Sequence, residues 1–473
     1  MTGCGIRSLP RWSAGILVGA GLALACGALA EILWAQGPAP VGQAPAAGGQ
    51  APTIKVQVEQ VLVPVVATDR KGHFIPDLKA ADFHVFEDGV EQKLVALYTE
   101  ATGAVELFPA ESGAEAHTGV PQAQSSGKSL PRHTYLIALD VRFSALANFS
   151  RVREALEKLF AEDQGSDSQY ALVAVGEPMR IIQNLTRDPQ AILAALGNKD
   201  LTKSISSSEA SNMARQESEM VSRLSIACRT VCRDYCQGEE PDTQCSMELD
   251  RLLASANAAA QERWWAARSF VNDLRGLTEQ LSRMAGRRVL ILTSDGFNFQ
   301  PGRELFQLLA YATHHSELAF KDEADSLQEE IERIAKLASA GNVIFYTVDS
   351  RGLYAIPAGG FASQRTTVVD VPRVESTVQP LAREKQDAMN YLATATGGIS
   401  YQNQNDLLRC LRQSFADGRE YYVLAYVPTN RTHDGNFRRI RVEVRSKGSR
   451  VRAKSGYWAP VGDPPASSAP ARE

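Results

Sequence analysis

Two acidic residues follow apolar runs that have the composition of buried strands. Asp140 ends the run that begins at Thr134, and Asp295 follows the run Arg288 to Thr293. Ligands of open parallel sheets bind outside the carboxyl ends of the strands, so we expect both carboxylates at one edge of a sheet. Carboxylate oxygens suit a hard cation such as Mg²⁺. The two aspartates are therefore the first candidates for a binding site.

Other polar residues accompany these two. Ser144 follows Asp140 closely, and Ser294 directly precedes Asp295. Asp349 comes directly after a later apolar run and is expected near the same edge. A plainer hypothesis is that Asp140 and Asp295 cap the helices that begin after their strands. The sequence leaves both hypotheses open.

The segment 131–418 alternates apolar strands with amphipathic helices. Strands separated by helices pair in parallel, with helices on both faces of the sheet. We therefore predict an α/β fold with a doubly wound, mostly parallel sheet. Residues 198–260 are rich in serine, contain cysteines and break this rhythm, so they are predicted to be an insertion. The predicted strands are Thr134 to Val141, Tyr170 to Val175, Arg288 to Thr293 and Val343 to Val348, and the predicted helices are Arg151 to Phe160, a helix beginning near Asp188, about Ala260 to Met284, Ala324 to Ala340, Glu384 to Thr394 and Asp406 to about Ala416.

Two flanking segments, 54–100 and 419–460, have the patterns of β-strands. The first contains a hairpin with the turn residues Glu87-Asp88-Gly89. The second contains three strand-like runs, the last from Val451 to Trp458. We predict an all-β, sandwich-like domain that flanks the α/β unit or into which that unit is inserted. Residues 36–53 and 101–130 are predicted linkers, and residues 461–473 a disordered tail.

Several blocks of sequence resemble a von Willebrand factor type A domain. An aspartate and a serine after the first core strand, with Ser294-Asp295-Gly296 after a later strand, are similar to that family. The likeness is closer to the VWFA-related subgroup described from Acidobacteria. It rests on the blocks Asp82 to Gly89, Gly286 to Phe297, Tyr346 to Leu353, Ala393 to Gly398, Tyr421 to Tyr426, Gly435 to Ile440 and Gly456 to Pro460. The resemblance implies a Rossmann-like fold and a role in protein binding.

The resemblance also implies a metal-ion-dependent adhesion site. Asp140, Ser144 and Asp295 match the family's ligands for Mg²⁺, and Thr186 is the candidate for its threonine ligand. Arg142 stands where the family has a serine. A guanidinium among the ligands would repel a divalent cation and could neutralise an aspartate. A metal site and a degenerate, metal-free site both stay open.

The first 35 residues resemble an export signal. Arg7 and Arg11 precede an apolar run that extends to about Trp34, with small residues at its end. A cleaved signal predicts a periplasmic or extracellular protein. The run is also long enough to be an uncleaved membrane anchor, which would be the only contact with a membrane.

The cysteines fit an oxidising compartment. Five of the seven cysteines follow the predicted export signal, and four of these five could form two disulfides within the predicted insertion: Cys228, Cys232, Cys236 and Cys245. Their spacing lacks the C-x-x-C pattern of structural zinc sites, so zinc is the weaker alternative. The fifth, Cys410, is predicted to stay unpaired.

Composition and motifs restrict the function. A net charge of −4 gives no reason to expect nucleic-acid binding. The sequence has none of the motifs of a serine-hydrolase elbow, a zinc protease, a P-loop or a dinucleotide site. No catalytic residue is therefore predicted, and the expected function is non-enzymatic binding of an unnamed protein in adhesion or envelope assembly. The alternatives are a metal-assisted hydrolase that uses the strand-end carboxylates and a purely structural envelope scaffold.

Overall fold

In the computed structural model, the described residues are 60–100, 103–108, 133–162, 167–199, 201, 203, 209–319, 326–353, 385–446 and 448–462. The predicted signal segment and the 36–53 linker lie outside them. The described residues belong to one compact unit. Its strands form three sheets of six, five and four strands.

The six-stranded sheet is the core of the α/β segment. Its strands are β6 (His133–Asp140), β7 (Ser168–Val175), β8 (Arg180–Thr186), β9 (Arg287–Ser294), β10 (Val343–Asp349) and β11 (Ser400–Tyr401). Their order is β11-β10-β9-β6-β7-β8, and all neighbours are parallel except the pair β7 and β8. Every residue of β6 and of β10 is buried, as expected of central strands covered on both faces.

Helices cover both faces of this sheet. They are α1 (Leu146–Glu162), α2 (Pro189–Leu196), α3 (Glu209–Arg229), α4 (Thr243–Ser282), α5 (Arg303–Thr313), α6 (Gln328–Ala340), α7 (385–396) and α8 (Leu407–Arg419). One apolar core joins the sheet to α1, α2 and α8, and a second joins the other face to α4, α6 and α7. This is the doubly wound arrangement that the alternating pattern predicts.

The other two sheets pack against each other through a third core. The five-stranded sheet has the order β14-β1-β12-β4-β5 and the four-stranded sheet the order β15-β13-β2-β3. Each contains strands from both flanking segments, since β1 pairs with β12 and β2 pairs with β13. The strands are β1 (Val61–Thr68), β2 (Phe83–Glu87), β3 (Val90–Gln92), β4 (Leu94–Thr99), β5 (Ala104–Leu107), β12 (Tyr422–Tyr426), β13 (Phe437–Val444), β14 (Arg450–Ala453) and β15 (Gly456–Trp458).

Two details of these sheets differ from the sequence-based expectation. Residues 101–130, predicted as a linker, contain strand β5. The run Val451 to Trp458, predicted as one strand, is broken at Lys454 and Ser455 into β14 and β15, which belong to different sheets. An apolar pattern marks strands but does not show where a chain crosses from one sheet to the other.

The predicted insertion is largely helical. Helix α3 and the first half of α4 pack on each other and on α5 around a fourth apolar core. Disulfides join Cys228 to Cys236 and Cys232 to Cys245, while Cys410 is free and buried. These helices are hard to recognise in the sequence, because few apolar residues recur at helical spacing among the serines and charged residues.

Candidate functional site

Asp140 ends β6 and lies at the carboxyl edge of the six-stranded sheet, with 1% of its surface exposed. Its Oδ1 atom accepts hydrogen bonds from the backbone amides of Arg142 and Phe143, both at 2.8 Å. Its Oδ2 atom accepts one from the hydroxyl of Ser294 at 2.6 Å. The carboxylate therefore fixes the turn after β6 and links it to the end of β9.

Asp295 joins the ends of three strands. Its amide donates to the Ser144 hydroxyl at 3.2 Å. Its Oδ2 atom accepts from the Ala145 amide at 2.9 Å and the Asn148 side chain at 2.8 Å. Its Oδ1 atom accepts from the Ser350 hydroxyl, just after β10. Asp295 thus connects the loops that follow β6, β9 and β10.

These contacts bring Asp140, Ser144, Ser294 and Asp295 together, as the strand-end argument predicts. We call these four residues, with Ser350, the strand-end cluster. Burial, with a smaller contribution from the nearby charge of Asp295, raises the pKa of Asp140 to about 7, while the hydrogen bond from Ser294 opposes the rise. Burial also raises the pKa of Asp295, against the hydrogen bonds that favour its ionised form.

Asp349 lies at the same edge but uses its carboxylate within its own loop. It is 1% exposed and forms a two-pronged ion pair with Arg351, whose guanidinium donates to Oδ1 at 3.0 Å and to Oδ2 at 2.9 Å. Gln386 of α7 donates to the same Oδ2 atom. Asp349 therefore holds Arg351 and α7 in place beside the strand-end cluster.

The expectation that Arg142 could neutralise an aspartate of the site is wrong for its side chain. The guanidinium pairs with Glu177, whose side chain is 73% exposed, and no second ion pair of Arg142 occurs among the described residues. Only the backbone amide of Arg142 reaches Asp140. The Arg142 side chain lies away from the site because it pairs with the exposed carboxylate of Glu177, which follows the end of β7.

Thr186 is not part of the site. It pairs with Tyr170 at the start of β7, whereas Asp140 pairs with Val175 at the end of that strand. Strand β8 is antiparallel to β7, so its last residue lies at the opposite edge of the sheet. The threonine hydroxyl accepts a hydrogen bond from the Asp188 amide before α2. The prediction failed because the direction of β8 was not used to place its end.

The oxygens of the strand-end cluster are engaged by protein donors, so a divalent cation would compete with these hydrogen bonds for them. Each carboxylate oxygen of Asp140 and Asp295 already accepts a hydrogen bond from a protein donor. The Ser144 hydroxyl also accepts one, and Arg142 supplies no oxygen in place of the family's serine. The charge of Arg351 lies close enough to lower the pKa of Asp295. Within the described ranges, no three His, Cys, Asp or Glu side chains are grouped to hold a metal.

Sequence reasoning missed one residue of this edge, Asn148. Ser350 and Arg351 belong to the loop after β10, whose place beside the site follows from the same rule that pointed to Asp349. Asn148 lies in the first turn of α1, and nothing in its sequence surroundings indicates that it contacts Asp295.

No protein-family model and no curated protein sequence matches the chain. Among solved structures, it is similar to an aerotolerance-related membrane protein from Bacteroides fragilis, with 12% identity, 60% of this chain and 98% of that chain covered, and a TM-score of 0.26. BatB from Bacteroides thetaiotaomicron gives 14% identity, coverage of 60% and 98%, and a TM-score of 0.25. The human COPII-coat protein Sec24c gives 9% identity, coverage of 70% and 44%, and a TM-score of 0.26. At these TM-scores the likenesses carry no argument about this chain.

None of the helices in the described ranges combines the length and the apolar character needed to cross a membrane. The apolar N-terminal run, predicted as a signal or an anchor, lies outside those ranges.

Proposed function

We propose that this chain is an exported, non-enzymatic protein-binding protein of adhesion or envelope assembly, built on a von Willebrand type A-like unit. Its contact surface is the carboxyl edge of the six-stranded sheet. The observation that carries the proposal is the strand-end cluster, which ties three loops of that edge into one hydrogen-bonded platform. A surface whose loops are already ordered loses little conformational entropy when it binds a partner.

The platform exposes apolar side chains. Leu146 at the start of α1 is 41% exposed, and Leu353 after β10 is 61% exposed. Asp295 ties their two loops together, because it accepts from Ala145 on one side and from Ser350 on the other. Apolar side chains held on a rigid polar frame are typical of protein interfaces, which have an apolar centre and a polar rim.

The hydrogen bonds of the cluster favour binding over catalysis. A catalytic carboxylate needs a proton donor or acceptor that can exchange with a substrate. The donors to Asp140 and Asp295 are backbone amides, serines and an asparagine, and no histidine is among their partners in the described part of the chain. We expect binding at this edge to be independent of Mg²⁺, because the oxygens of the cluster already accept hydrogen bonds from protein donors.

Paired surface variants test the proposal. The double variant Leu146→Asp/Leu353→Asp changes the platform. The matched control is Val90→Asp/Leu107→Asp. Val90 on β3 and Leu107 on β5 are also apolar side chains, and they are 56% and 57% exposed. An envelope protein captured by the wild type should be captured at least about tenfold less by the first variant. The control variant, and exchange of Mg²⁺ for EDTA, should leave capture unchanged.

Other outcomes reject this surface. Loss of capture in the control alone would place the contacts on the sandwich, as in the scaffold hypothesis. Dependence of capture on Mg²⁺ would contradict the metal-free site. Hydrolysis of chromogenic phosphate or ester substrates that is lost in Asp140→Asn would favour the hydrolase.

A further inference from the structure

A cavity of about 290 Å³ lies between α3, α4, α5 and the loop after β9. Its walls are mainly apolar and include Phe143, Met213, Phe297, Leu305 and Leu308. The volume is at the low end of the range for small-molecule sites, about 300–1,000 Å³. A ligand of this cavity is therefore about the size of one amino-acid residue.

Two polar atoms at the cavity lack hydrogen-bond partners among the described residues. One is the Nε atom of Arg263, whose side chain is 1% exposed, and the other is the Oδ1 atom of Asn298, which is 8% exposed. Both residues line the cavity. A buried polar atom without a partner costs free energy, so a ligand group that hydrogen-bonds to these two atoms gains free energy from doing so.

Both residues use another of their polar atoms to contact one carboxylate, that of Glu304. Arg263 donates to Glu304 Oε1, and the Asn298 amide nitrogen donates to Glu304 Oε2 at 3.4 Å. The carboxylate can only accept, so it fixes the orientation of the Asn298 amide and leaves Oδ1 as a free acceptor. The terminal nitrogens of Arg263 are used by Glu217, Glu304 and the Met213 carbonyl. The lining of the cavity therefore contains one free donor and one free acceptor.

The charges around the cavity balance. Its lining includes the acidic residues Glu217, Asp295 and Glu304 and the basic residues Arg263, Arg351 and Lys385. A ligand with a net charge would disturb this balance and lose its own hydration, whereas a neutral ligand does neither.

We propose that this cavity binds a neutral, apolar compound that carries an amide group, such as an apolar amino-acid residue with its peptide bonds. The amide carbonyl accepts from Arg263 Nε and the amide N–H donates to Asn298 Oδ1, while the apolar body fills the cavity. The inference goes beyond the proposed function, because neither recognising atom belongs to the strand-end cluster.

The binding experiment uses the full chain with both disulfides formed and N-acetyl-leucinamide as the probe. Titration calorimetry should give saturable binding with a Kd on the order of 1 mM, which is usual for so small a ligand. N-acetyl-leucine has the same body with a carboxylate in place of one amide and should bind at least about tenfold more weakly. A blocked Gly-Gly-Leu-Gly-Gly peptide identifies the source: binding at least as tight as the probe's indicates a polypeptide, and weaker binding a free amide.

Two variants locate the binding. Ala214→Phe fills the cavity from its partly open wall and should abolish binding, while Ala258→Phe at an exposed position of α4 should not. Asn298→Leu removes the free acceptor and should weaken binding about tenfold, while the exposed Asn257→Leu should not. Absence of probe binding to the wild type would overturn the proposal. So would equal affinity for the amide and the carboxylate, or unchanged affinity in Ala214→Phe.

Discussion

The buried carboxylate of Asp140 holds the turn after β6 in place through its hydrogen bonds. Three donors stabilise its ionised form, yet the loss of water is the larger effect, and burial raises its pKa to about 7. Ionising this carboxylate in the folded protein therefore lowers the free energy of unfolding. The contribution of Asp140 is the position that it imposes on the loops, since its ionisation does not add stability at neutral pH.

Asp140→Asn should remove part of the pH dependence of folding stability. The pKa of Asp140 is raised to about 7 in the folded protein, whereas an unfolded aspartate titrates near ~3.9. The folded state binds this proton more tightly, so the free energy of unfolding falls as the pH rises between these two values, by up to ~1.4 kcal/mol per pH unit. Urea unfolding at about pH 5 and about pH 8 measures this loss.

The wild type should lose more stability between these pH values than Asp140→Asn does. The exposed Asp387→Asn is the control and should retain the wild-type loss. Equal losses in wild type and Asp140→Asn would contradict the raised pKa.

Arg263→Met should strongly destabilise the protein. Arg263 is 1% exposed and pairs with Glu304 and Glu217. Without it, the Glu304 carboxylate stays buried and unpaired, which costs ~3–5 kcal/mol. Adding Glu304→Leu removes the unpaired charge, so the double variant should regain much of the loss in chemical unfolding. A double variant as unstable as the sum of both single variants would refute this account.

At the scale of single residues, the sequence predicted correctly the positions that follow from the direction of the strands alone. Asp140, Ser144 and Asp295 follow parallel strands, so their convergence could be inferred. Thr186 was misplaced, since its position depends on the reversal of β8. The side chain of Arg142 could not be placed, because its direction is set by Glu177, a partner distant in sequence.

Among the elements, the disulfide-linked segment of α3 and α4 differs most from what the sequence suggested, because it is helical. Their apolar core contains Met220, Leu224, Leu249 and Leu252, spaced at helical intervals within polar sequence. Such sparse repeats are hard to distinguish from loops until a partner helix is known. The cysteine pattern indicated disulfides but allowed three pairings of four cysteines.

Removal of one disulfide should loosen these helices without loosening the sheet. Cys232 and Cys245 are each 1% exposed and close the longer of the two loops, with a sequence separation of 13 against 8. Cys232→Ala/Cys245→Ala should therefore destabilise α3 and the start of α4 by ~2–4 kcal/mol. Cys228→Ala/Cys236→Ala should have a smaller effect.

Hydrogen exchange measures this difference segment by segment. Faster exchange is expected in α3 and early α4, with β6 and β9 unchanged, because the sheet has apolar cores of its own. An equal rise in β6 would show that the helices and the sheet unfold together.

At the scale of the whole molecule, contacts between the two flanking β segments join the two sheets of the sandwich. Tyr426 of β12 donates to Glu87 of β2 at 2.6 Å, and Tyr457 donates to the same carboxylate at 3.0 Å. Both Tyr426 and Glu87 are buried, and they belong to different sheets. The sequence predicted a sandwich from these segments, but not this polar link, because nothing local marks Glu87 as buried.

Tyr426→Phe should destabilise the protein by ~1–3 kcal/mol, since it deprives a buried carboxylate of a donor. Tyr391→Phe is the control, because that hydroxyl makes no hydrogen bond within the described residues and is only partly buried. Thermal unfolding of both variants gives the comparison. A loss in Tyr391→Phe as large as that in Tyr426→Phe would show that the hydrogen bond contributes nothing.

The position of β12 between β1 and β4 has a consequence for biosynthesis. Most of the chain separates β1 from β12, so ribosomes that add roughly 5–20 residues per second leave the edges of β1 and β4 that pair with β12 open for on the order of tens of seconds. Their apolar edges are then available to other nascent chains. Photo-crosslinking from Val63 in stalled chains should therefore capture chaperones until β12 has emerged, and lose them afterwards. An export route that keeps the chain unfolded until it is complete would avoid this hazard.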